Sequence, residues 1–268
     1  MKRKIALIFL MLLFLGVAVF SGVRLYQIRQ EYKVSEAAYD ALYQYIKLPA
    51  SKPVQPEEVP QPEDTPDADQ PVEAAPVSDF PVVDFEGLWE ICPDVVAWLA
   101  IDDTVVSYPV VQADDNAYYL RRLIDGTSNK AGSLFMDYEN SYDFTDKNTV
   151  IYGHNLKAGT MFHTITKYKK QSFFDEHPTA RIMTPYGNYT LEFFAGYVAS
   201  LDDEAWKLEF DSDEEFEDWL EDAEDNSPFQ SDVIPTADDR VVTLSTCSYE
   251  FNDARYVLLG VLRPEQEA

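Results

Sequence analysis

The order of apolar and polar positions divides the chain into three unlike parts, and the first is apolar. Residues 5–23 form a run of nineteen residues without a charge, after the basic start Met1-Lys2-Arg3-Lys4. A helix needs about twenty apolar residues to cross a bilayer, whereas the apolar region of a cleaved signal peptide is usually about 7–15 residues long. The run therefore predicts a membrane anchor, with Ser21-Gly22 as a weak cleavage site under the alternative reading.

The second part is polar and rich in proline. Apolar positions continue at helical spacing over residues 24–48 and then stop. Residues 49–79 hold eight prolines and eight acidic residues, with Lys52 as the only base. Such a stretch cannot bury enough apolar surface to fold, and its prolines favour an extended chain. We expect a spacer that holds the folded part away from the membrane.

The third part consists of short apolar runs separated by turn residues, a pattern that is typical of β-strands. We predict strands at 104–111, 132–136, 148–152, 180–184, 189–198, 240–247 and 255–262. A helical stretch over 85–98 precedes them, and helical insertions are predicted near 159–168 and over 212–223. In the second insertion, Ser212 and Glu215 form a capping box in front of the helix. Many short strands separated by turn residues indicate a mainly β domain, either a barrel or a sandwich.

These features give three regions. They are an N-terminal tip with a transmembrane anchor and a juxtamembrane helix (1–48), an acidic proline-rich linker (49–80), and a folded domain (81–268).

Composition excludes several classes of function. The net charge of −27 argues against nucleic-acid binding, which needs clustered Lys and Arg. Two cysteines in 268 residues do not make a disulfide framework. The three histidines are scattered and no CxxC or HExxH occurs, so a metal site is poorly supported. There is also no glycine-rich phosphate loop and no G-x-S-x-G turn.

Candidate chemistry lies at the ends of three predicted strands. If the last two strands pair as an antiparallel hairpin, Cys247 at the end of one lies beside Arg255 at the start of the other. A cation beside a thiol lowers its pKa and can stabilise an oxyanion. The alternative is a buried structural cysteine with a surface arginine. His154 follows the strand at 148–152 and could exchange a proton with a nearby thiol, although a lone histidine is more often structural.

The remaining cysteine and histidines have structural interpretations. Cys92 lies among apolar residues of the predicted 85–98 helix and is expected in the core. His163 is expected to pack in a helix, and His177 to be exposed.

Several segments together resemble the sortases, and specifically their class B. Thr243-Leu244-Ser245-Thr246-Cys247 followed by Arg255 is similar to the active-site strand of that family, and residues 148–155 are similar to its histidine segment. Residues 115–120 and 132–137 are similar to further class B segments. The order of anchor, spacer, His, Cys and Arg also fits. The Cys-to-Arg interval of eight residues is shorter than in some relatives, which leaves the shape of loop 248–254 open.

The resemblance implies both a fold and a reaction. It implies a closed barrel of about eight strands with helical insertions, a long helix before the cysteine strand, and no metal or other cofactor. Cys247 would attack a Thr carbonyl in the C-terminal sorting motif of a secreted protein, His154 would protonate the leaving amine, and Arg255 would stabilise the oxyanion or position the motif. The positions that match the class B substrate groove are Asn116, Leu120, Tyr152 and Ser245.

The implied partners are secreted proteins bearing a sorting signal, an amine of a peptidoglycan precursor or a pilin lysine, and the membrane through the N-terminal helix. The basic cluster before the anchor favours a single-pass protein of the cell membrane with a cytoplasmic N-terminus and an extracellular catalytic domain. Two other readings stay open. An L,D-transpeptidase would place its cysteine in an S-x-G-C context instead, and a non-catalytic surface binding module would have a buried, inert Cys247.

Overall fold

A long helix, a small two-stranded sheet and a barrel with three short helices around it make up the described structure. The computed structural model describes residues 2–47 and 80–265. Its elements are α1 (Lys2–Leu42), β1 (Ile46–Lys47), β2 (Val82–Val83), α2 (Phe85–Ile91), β3 (Val95–Ala100), β4 (Ser107–Val111), β5 (Leu134–Met136), β6 (Asn148–Tyr152), α3 (Gln171–Glu176), β7 (Thr179–Thr184), β8 (Gly187–Ala199), α4 (Asp213–Asp225), β9 (Val241–Cys247) and β10 (Arg255–Pro264). The predicted linker lies outside the described residues, apart from its last position, Phe80.

Eight strands close into a barrel in the order β10-β8-β7-β3-β4-β5-β6-β9. The β4–β5 and β6–β9 pairs are parallel and the other neighbours are antiparallel. Closure leaves the sheet without a free edge. The predicted closed barrel of about eight strands, with helical insertions and an apolar N-terminal helix before it, is confirmed.

One strand of the barrel was not predicted, because its residues were assigned to a helix, and the two-residue strands β1 and β2 were not predicted either. The helix predicted over 85–98 ends at Ile91, and Val95–Ala100 is the barrel strand β3. Cys92 is already extended, as a residue before a proline tends to be. Five of the six residues of β3 are buried, so the strand reads as a continuous apolar run. Such a run cannot be told from a buried helix by periodicity alone.

The two predicted insertions differ in accuracy. Helix α4 covers Asp213–Asp225 with Ser212 as its N-cap, whose side chain accepts from the Glu215 N–H at 3.1 Å. The Glu215 carboxylate accepts from the Asp211 N–H at 2.5 Å, one residue before the position that a capping box requires. The insertion predicted near 159–168 lies further along the chain, as a 3-10 turn at Thr164–Lys169 followed by α3.

Apolar side chains form two cores on opposite faces of the sheet. In β10, Tyr256 and Leu258 belong to the larger core inside the barrel. Val257 and Leu259 belong to a smaller core under α4. Because side chains alternate along a strand, Arg255 points to the same face as Val257. The hairpin end that carries Arg255 and its partner Cys247 therefore opens on the outer face of the barrel, beside α4.

The N-terminal helix is exposed over residues 9–30 and packed at its end. It is long and apolar enough, by length and composition, to cross a membrane. At its far end Tyr39 and Leu42 are buried against the barrel. The predicted helix over 24–48 is shorter in the structure: α1 stops at Leu42, and a 3-10 turn leads into β1, which pairs with β2 through Ile46 and Val83.

Candidate active site

The strand hairpin places the candidate nucleophile beside a cation. Cys247 ends β9 and Arg255 begins β10, and the two are direct partners in the antiparallel register. Side chains of directly opposed residues lie on one face with Cβ atoms about 4.5–5.5 Å apart. The predicted juxtaposition is therefore present. Loop 248–254 between them is closed by a bond from the Ser248 N–H to the Ala254 carbonyl at 2.8 Å.

Strand β6 brings His154 to the same end of the sheet. It runs parallel to β9 with Tyr152 opposite Ser245. Beyond the strand, the Gly153 N–H donates to the Ser245 carbonyl at 3.0 Å, and the Thr246 hydroxyl donates to the Gly153 carbonyl at 2.6 Å. His154 Nε2 lies 2.7 Å from the Leu120 carbonyl oxygen. A carbonyl can only accept, so Nε2 carries a proton in this arrangement.

Gly153 is required where it lies because nothing larger fits. A Cβ there would approach Leu134 Cδ2 to 2.4 Å and Phe162 Cδ2 to 2.6 Å. A side chain would have to displace either the barrel core or the turn that carries His154. Because Gly153 has no side chain, the backbone of the turn that carries His154 can pack directly against Leu134 and Phe162.

Asn155 connects the histidine turn to the cysteine strand. Its amide donates to the Cys247 carbonyl at 2.8 Å, and its side-chain oxygen lies 2.7 Å from His163 Nδ1. With the Asn155 nitrogen engaged as a donor, its oxygen accepts, so His163 Nδ1 is the donor. His163, expected to pack in a helix, is half-buried and precedes the 3-10 turn. His177, expected to be exposed, is half-buried and contacts the Phe173 ring at 4.5 Å between centroids.

A buried carboxylate holds two of the predicted groove residues. Asp137 Oδ2 accepts from the Tyr152 hydroxyl at 2.8 Å and from the Asn116 amide at 2.9 Å. Burial, and after it the Asp137 charge, raises the pKa of Tyr152 well above its ordinary value, so Tyr152 stays a neutral donor. Asp137 ends the class B-like segment 132–137, but the sequence analysis assigned it no function in the site. An acidic residue at the end of a short apolar strand was the signal available in the sequence.

All seven residues predicted for the site line one cleft of about 340 Å³. His154, Cys247 and Arg255 lie there with Asn116, Leu120, Tyr152 and Ser245. The sequence analysis missed other lining residues, namely Phe135, Gly153, Leu201, Trp206 and Thr246. Trp206 Nε1 donates to the Ser245 hydroxyl at 2.9 Å and so joins the β8–α4 connection to the cysteine strand. For Leu201 and Trp206, the signal available in the sequence was a large apolar side chain on either side of an acidic stretch.

The two cysteines have contrasting surroundings. Cys92 is 2% exposed and lies 3.2 Å from the Tyr119 hydroxyl. Burial raises the pKa of the Cys92 thiol, which keeps it protonated and inert. Cys247, in contrast, is half-buried at the cleft. Cys92 is thus the core residue that its sequence context predicted. Among the described residues, no group of three or more His, Cys, Asp or Glu side chains is arranged to hold a metal ion.

An ion pair anchors the loop that follows Cys247. Lys169 Nζ donates to the Ser248 hydroxyl at 2.9 Å and forms a short ion pair with Glu250. The hydrogen bond from Lys169, with that from Ser248, lowers the pKa of the Glu250 carboxyl to about 2. Lys169 also lies 5.2 Å from the centre of the Tyr256 ring. The Lys169 side chain therefore holds the loop to the 3-10 turn at Thr164–Lys169, while a backbone bond joins the two ends of the loop.

Comparison with known proteins agrees with this geometry. Residues 99–263 match the Sortase domain family. The chain is 40% identical to Sortase B of Listeria monocytogenes over 177 residues, which cover 65% of this chain and 72% of that protein. The crystal structure of Staphylococcus aureus Sortase B superposes with a TM-score of 0.65 at 32% identity, covering 68% of this chain and 87% of that one. Sortase B from Bacillus anthracis, solved in complex with AAEK1, gives a TM-score of 0.70 at 30% identity over 89% of this chain and 100% of that one.

The chain belongs to the sortase family. Its relatives are class B sortases, and it is accordingly a class B transpeptidase of the sortase kind.

Proposed function

We propose that this sortase is a cysteine transpeptidase in which Cys247, His154 and Arg255 perform the chemistry. The observation that carries the proposal is the direct pairing of Cys247 with Arg255 at a cleft that His154 also lines. A thiol at a strand end, beside a permanent cation and an imidazole, has the groups that acyl transfer needs. The buried Cys92 offers no comparable surroundings.

The reaction has two halves that use the same groups. The Cys247 thiolate attacks the carbonyl carbon of a Thr in the sorting motif, and Arg255 donates hydrogen bonds to the oxyanion that forms. The tetrahedral intermediate collapses, the peptide bond breaks, and His154 gives its proton to the leaving amine. A thioester remains on Cys247. An incoming amine then attacks the thioester carbonyl and loses a proton to His154, and the Cys247 thiolate leaves.

The cleft is suited to a short peptide. Phe135, Leu201 and Trp206 give it apolar walls, while Asn116 and Ser245 add polar groups. We propose that Asn116, Leu120, Tyr152 and Ser245 bind the sorting motif of a secreted protein. Staphylococcus aureus sortase B has been solved as a substrate complex, which supports a substrate site in this chain as well.

For the acceptor we propose an amine of a cell-wall peptidoglycan precursor. A sortase B has been solved in complex with triglycine, a peptide with a free N-terminal amine. Because the second half of the reaction requires only an unprotonated amine, a pilin lysine is the alternative acceptor. We also propose that the chain is a protein of a Gram-positive bacterium with a single-pass anchor in the cell membrane, which the apolar helix supports. Lys2, Arg3 and Lys4 support a cytoplasmic N-terminus with the catalytic domain outside.

The test is product analysis with purified full-length protein. Peptides would copy the C-terminal sorting signals of secreted proteins encoded beside it, with triglycine and a lysine peptide as competing amines. We expect cleavage after Thr and a ligated product with triglycine. Binding without cleavage would favour the surface binding module. Activity on muropeptides but not on these peptides would favour the L,D-transpeptidase, and a dominant lysine product would favour pilin assembly.

A further inference from the structure

The C-terminal end of α1 is bonded to the barrel as well as packed on it. Tyr39 is 7% exposed, and its ring meets Tyr108 edge-on at 5.1 Å between centroids. Its hydroxyl donates to the Gly132 carbonyl at 2.6 Å and lies 3.1 Å from Ser133 Oγ. Earlier in the same helix, Glu31 accepts from the Asn129 amide at its carbonyl and forms an ion pair with Lys130 at 2.7 Å.

The residues that follow α1 are also paired with residues beyond the linker. Ile46 pairs with Val83 across the β1–β2 sheet, and the Asp84 N–H donates to the Tyr45 carbonyl at 2.8 Å. The residues just before and just after the acidic proline-rich linker are therefore paired with each other. From the end of the apolar run at residue 23 to Glu31 there are eight residues, about 12 Å of helix at 1.5 Å per residue. The helix itself sets the distance between the apolar run and the barrel.

The segment that Tyr39 holds touches the backbone next to the catalytic histidine. Gly132 has φ +62°, and a Cβ on it would lie 2.7 Å from the Leu120 carbonyl oxygen. The following Ser133 N–H donates to the Tyr119 carbonyl at 3.1 Å. That same Leu120 oxygen accepts from His154 Nε2 at 2.7 Å. One path of hydrogen bonds thus runs from Tyr39 to Gly132–Ser133, from there to Tyr119–Leu120, and on to His154.

We propose that Tyr39 is a positioning residue for His154, so that the membrane-proximal helix and the active site form one mechanical unit. The Tyr39 hydroxyl fixes the Gly132 carbonyl, and the next residue, Ser133, bonds the Tyr119 carbonyl. This bond sets the position of the adjoining Leu120, whose carbonyl holds the imidazole. The inference gives α1 a role in the active site besides anchoring the chain in the membrane. It rests on the proposed function only where its test measures peptide transfer.

The test compares two tyrosine-to-phenylalanine variants of the full-length chain in detergent micelles. Tyr39→Phe removes the hydroxyl and keeps the ring. Tyr43→Phe is the matched control, since its hydroxyl also reaches the barrel, at 3.5 Å from the Ser107 carbonyl. Ser107 lies in β4 and is not a member of the path to His154. The chain has only three histidines, so ¹³C-histidine labelling gives three ring signals. The loss of one in His154→Gln assigns that of His154.

We expect Tyr39→Phe to move the His154 ring signal and to lower kcat/KM for peptide transfer by about two- to tenfold, the range for one hydrogen bond. Tyr43→Phe should do neither. The inference is overturned if Tyr39→Phe lowers the melting temperature but leaves the His154 signal in place, or if Tyr43→Phe moves it equally. Should Tyr39→Phe not fold, Ser133→Ala removes the Oγ contact with the Tyr39 hydroxyl, together with the bond that Ser133 donates to the Arg122 carbonyl. The His154 signal is again expected to move, and an unmoved signal overturns the inference.

The two proposals fail differently. If the wild-type chain transfers no peptide, the proposed function fails while the His154 signal still reports on the path from Tyr39. If the wild type is active and both variants match it in rate and in signal, the positioning role alone is wrong.

Discussion

Replacing Asp137 by Asn should weaken substrate binding by releasing two residues of the cleft. Asp137 is 6% exposed and accepts at Oδ2 from both Tyr152 and Asn116. Its Oδ1 accepts from the Glu139 N–H at 3.0 Å. Asparagine has the same shape but only one acceptor oxygen. If that oxygen keeps Glu139, its NH₂ group faces the Asn116 amide, donor against donor; if the amide is turned, the Glu139 N–H loses its acceptor instead.

The magnitude follows from the count of lost bonds. The Tyr152 hydroxyl can rotate and accept from the new amide, so the net loss is about one hydrogen bond to a charged acceptor, worth about 1.5–3 kcal/mol. For a domain of this size each kcal/mol moves the melting temperature by about 2–4 °C, which gives a drop of roughly 3–12 °C. The chemical groups at Cys247 and Arg255 are untouched. We therefore expect KM for a sorting-motif peptide to rise severalfold while kcat changes less.

The assay is steady-state peptide transfer with thermal melting on the same samples. Asp143→Asn is the matched control, because Asp143 also accepts two bonds, both from Thr145, but lies in an exposed turn outside the cleft. The control should match the wild type in KM. Unchanged KM and melting temperature in Asp137→Asn would refute the positioning role. A hundredfold fall in kcat at constant KM would instead place Asp137 at the reacting atoms.

Three further predictions concern groups around the site. Arg255→Lys should lower turnover by about a hundred- to a thousandfold at an unchanged melting temperature, because an ammonium lacks the planar fork of a guanidinium; near wild-type rates would show that charge alone suffices. Cys92→Ala should leave turnover intact and cost about 1 kcal/mol of unfolding free energy in urea titrations; a stable but inactive variant would mean that the two thiols were misassigned. Glu250→Gln should lower the free energy of unfolding by an amount that depends on pH, which urea titrations at several pH values would measure. Because the folded pKa lies near 2 and below the ordinary 4.5, the stabilisation is present above about pH 4.5 and is lost as pH falls toward 2. Exposure and solvent screening limit it to less than about 1 kcal/mol. A stability difference from wild type that does not change with pH would contradict this cause.

The chemistry of the site could be predicted because it depends on strand ends. The β-branched and apolar runs over 240–247 and 255–262 predict two strands. If neighbouring strands pair as a hairpin, the last residue of one lies beside the first residue of the next, whatever surrounds them. Cys247 and Arg255 lie side by side for that reason alone. His154 needed one further step, the parallel pairing of β6 with β9, which local pattern does not show. The family-like segments supplied that step.

What could not be predicted depends on contacts between distant residues. Asp137 serves Asn116 and Tyr152 from 21 and 15 residues away, and Tyr39 reaches Gly132 across 93 residues. Neither contact leaves a periodic signal in the chain. Strand β3 was missed for the opposite reason, since its burial removes the alternation that marks a half-exposed strand.

The most direct test of the central claim is the mass of the enzyme caught in mid-reaction. Full-length protein would be mixed with a sorting-signal peptide without an added amine, quenched in acid, and analysed whole and after digestion. The account predicts a mass gain equal to the acyl fragment ending at Thr, mapped to Cys247 and discharged by triglycine. It also predicts no gain in Cys247→Ala and a normal gain in Cys92→Ala. An adduct on Cys92, or peptide transfer that persists in Cys247→Ala, would contradict it.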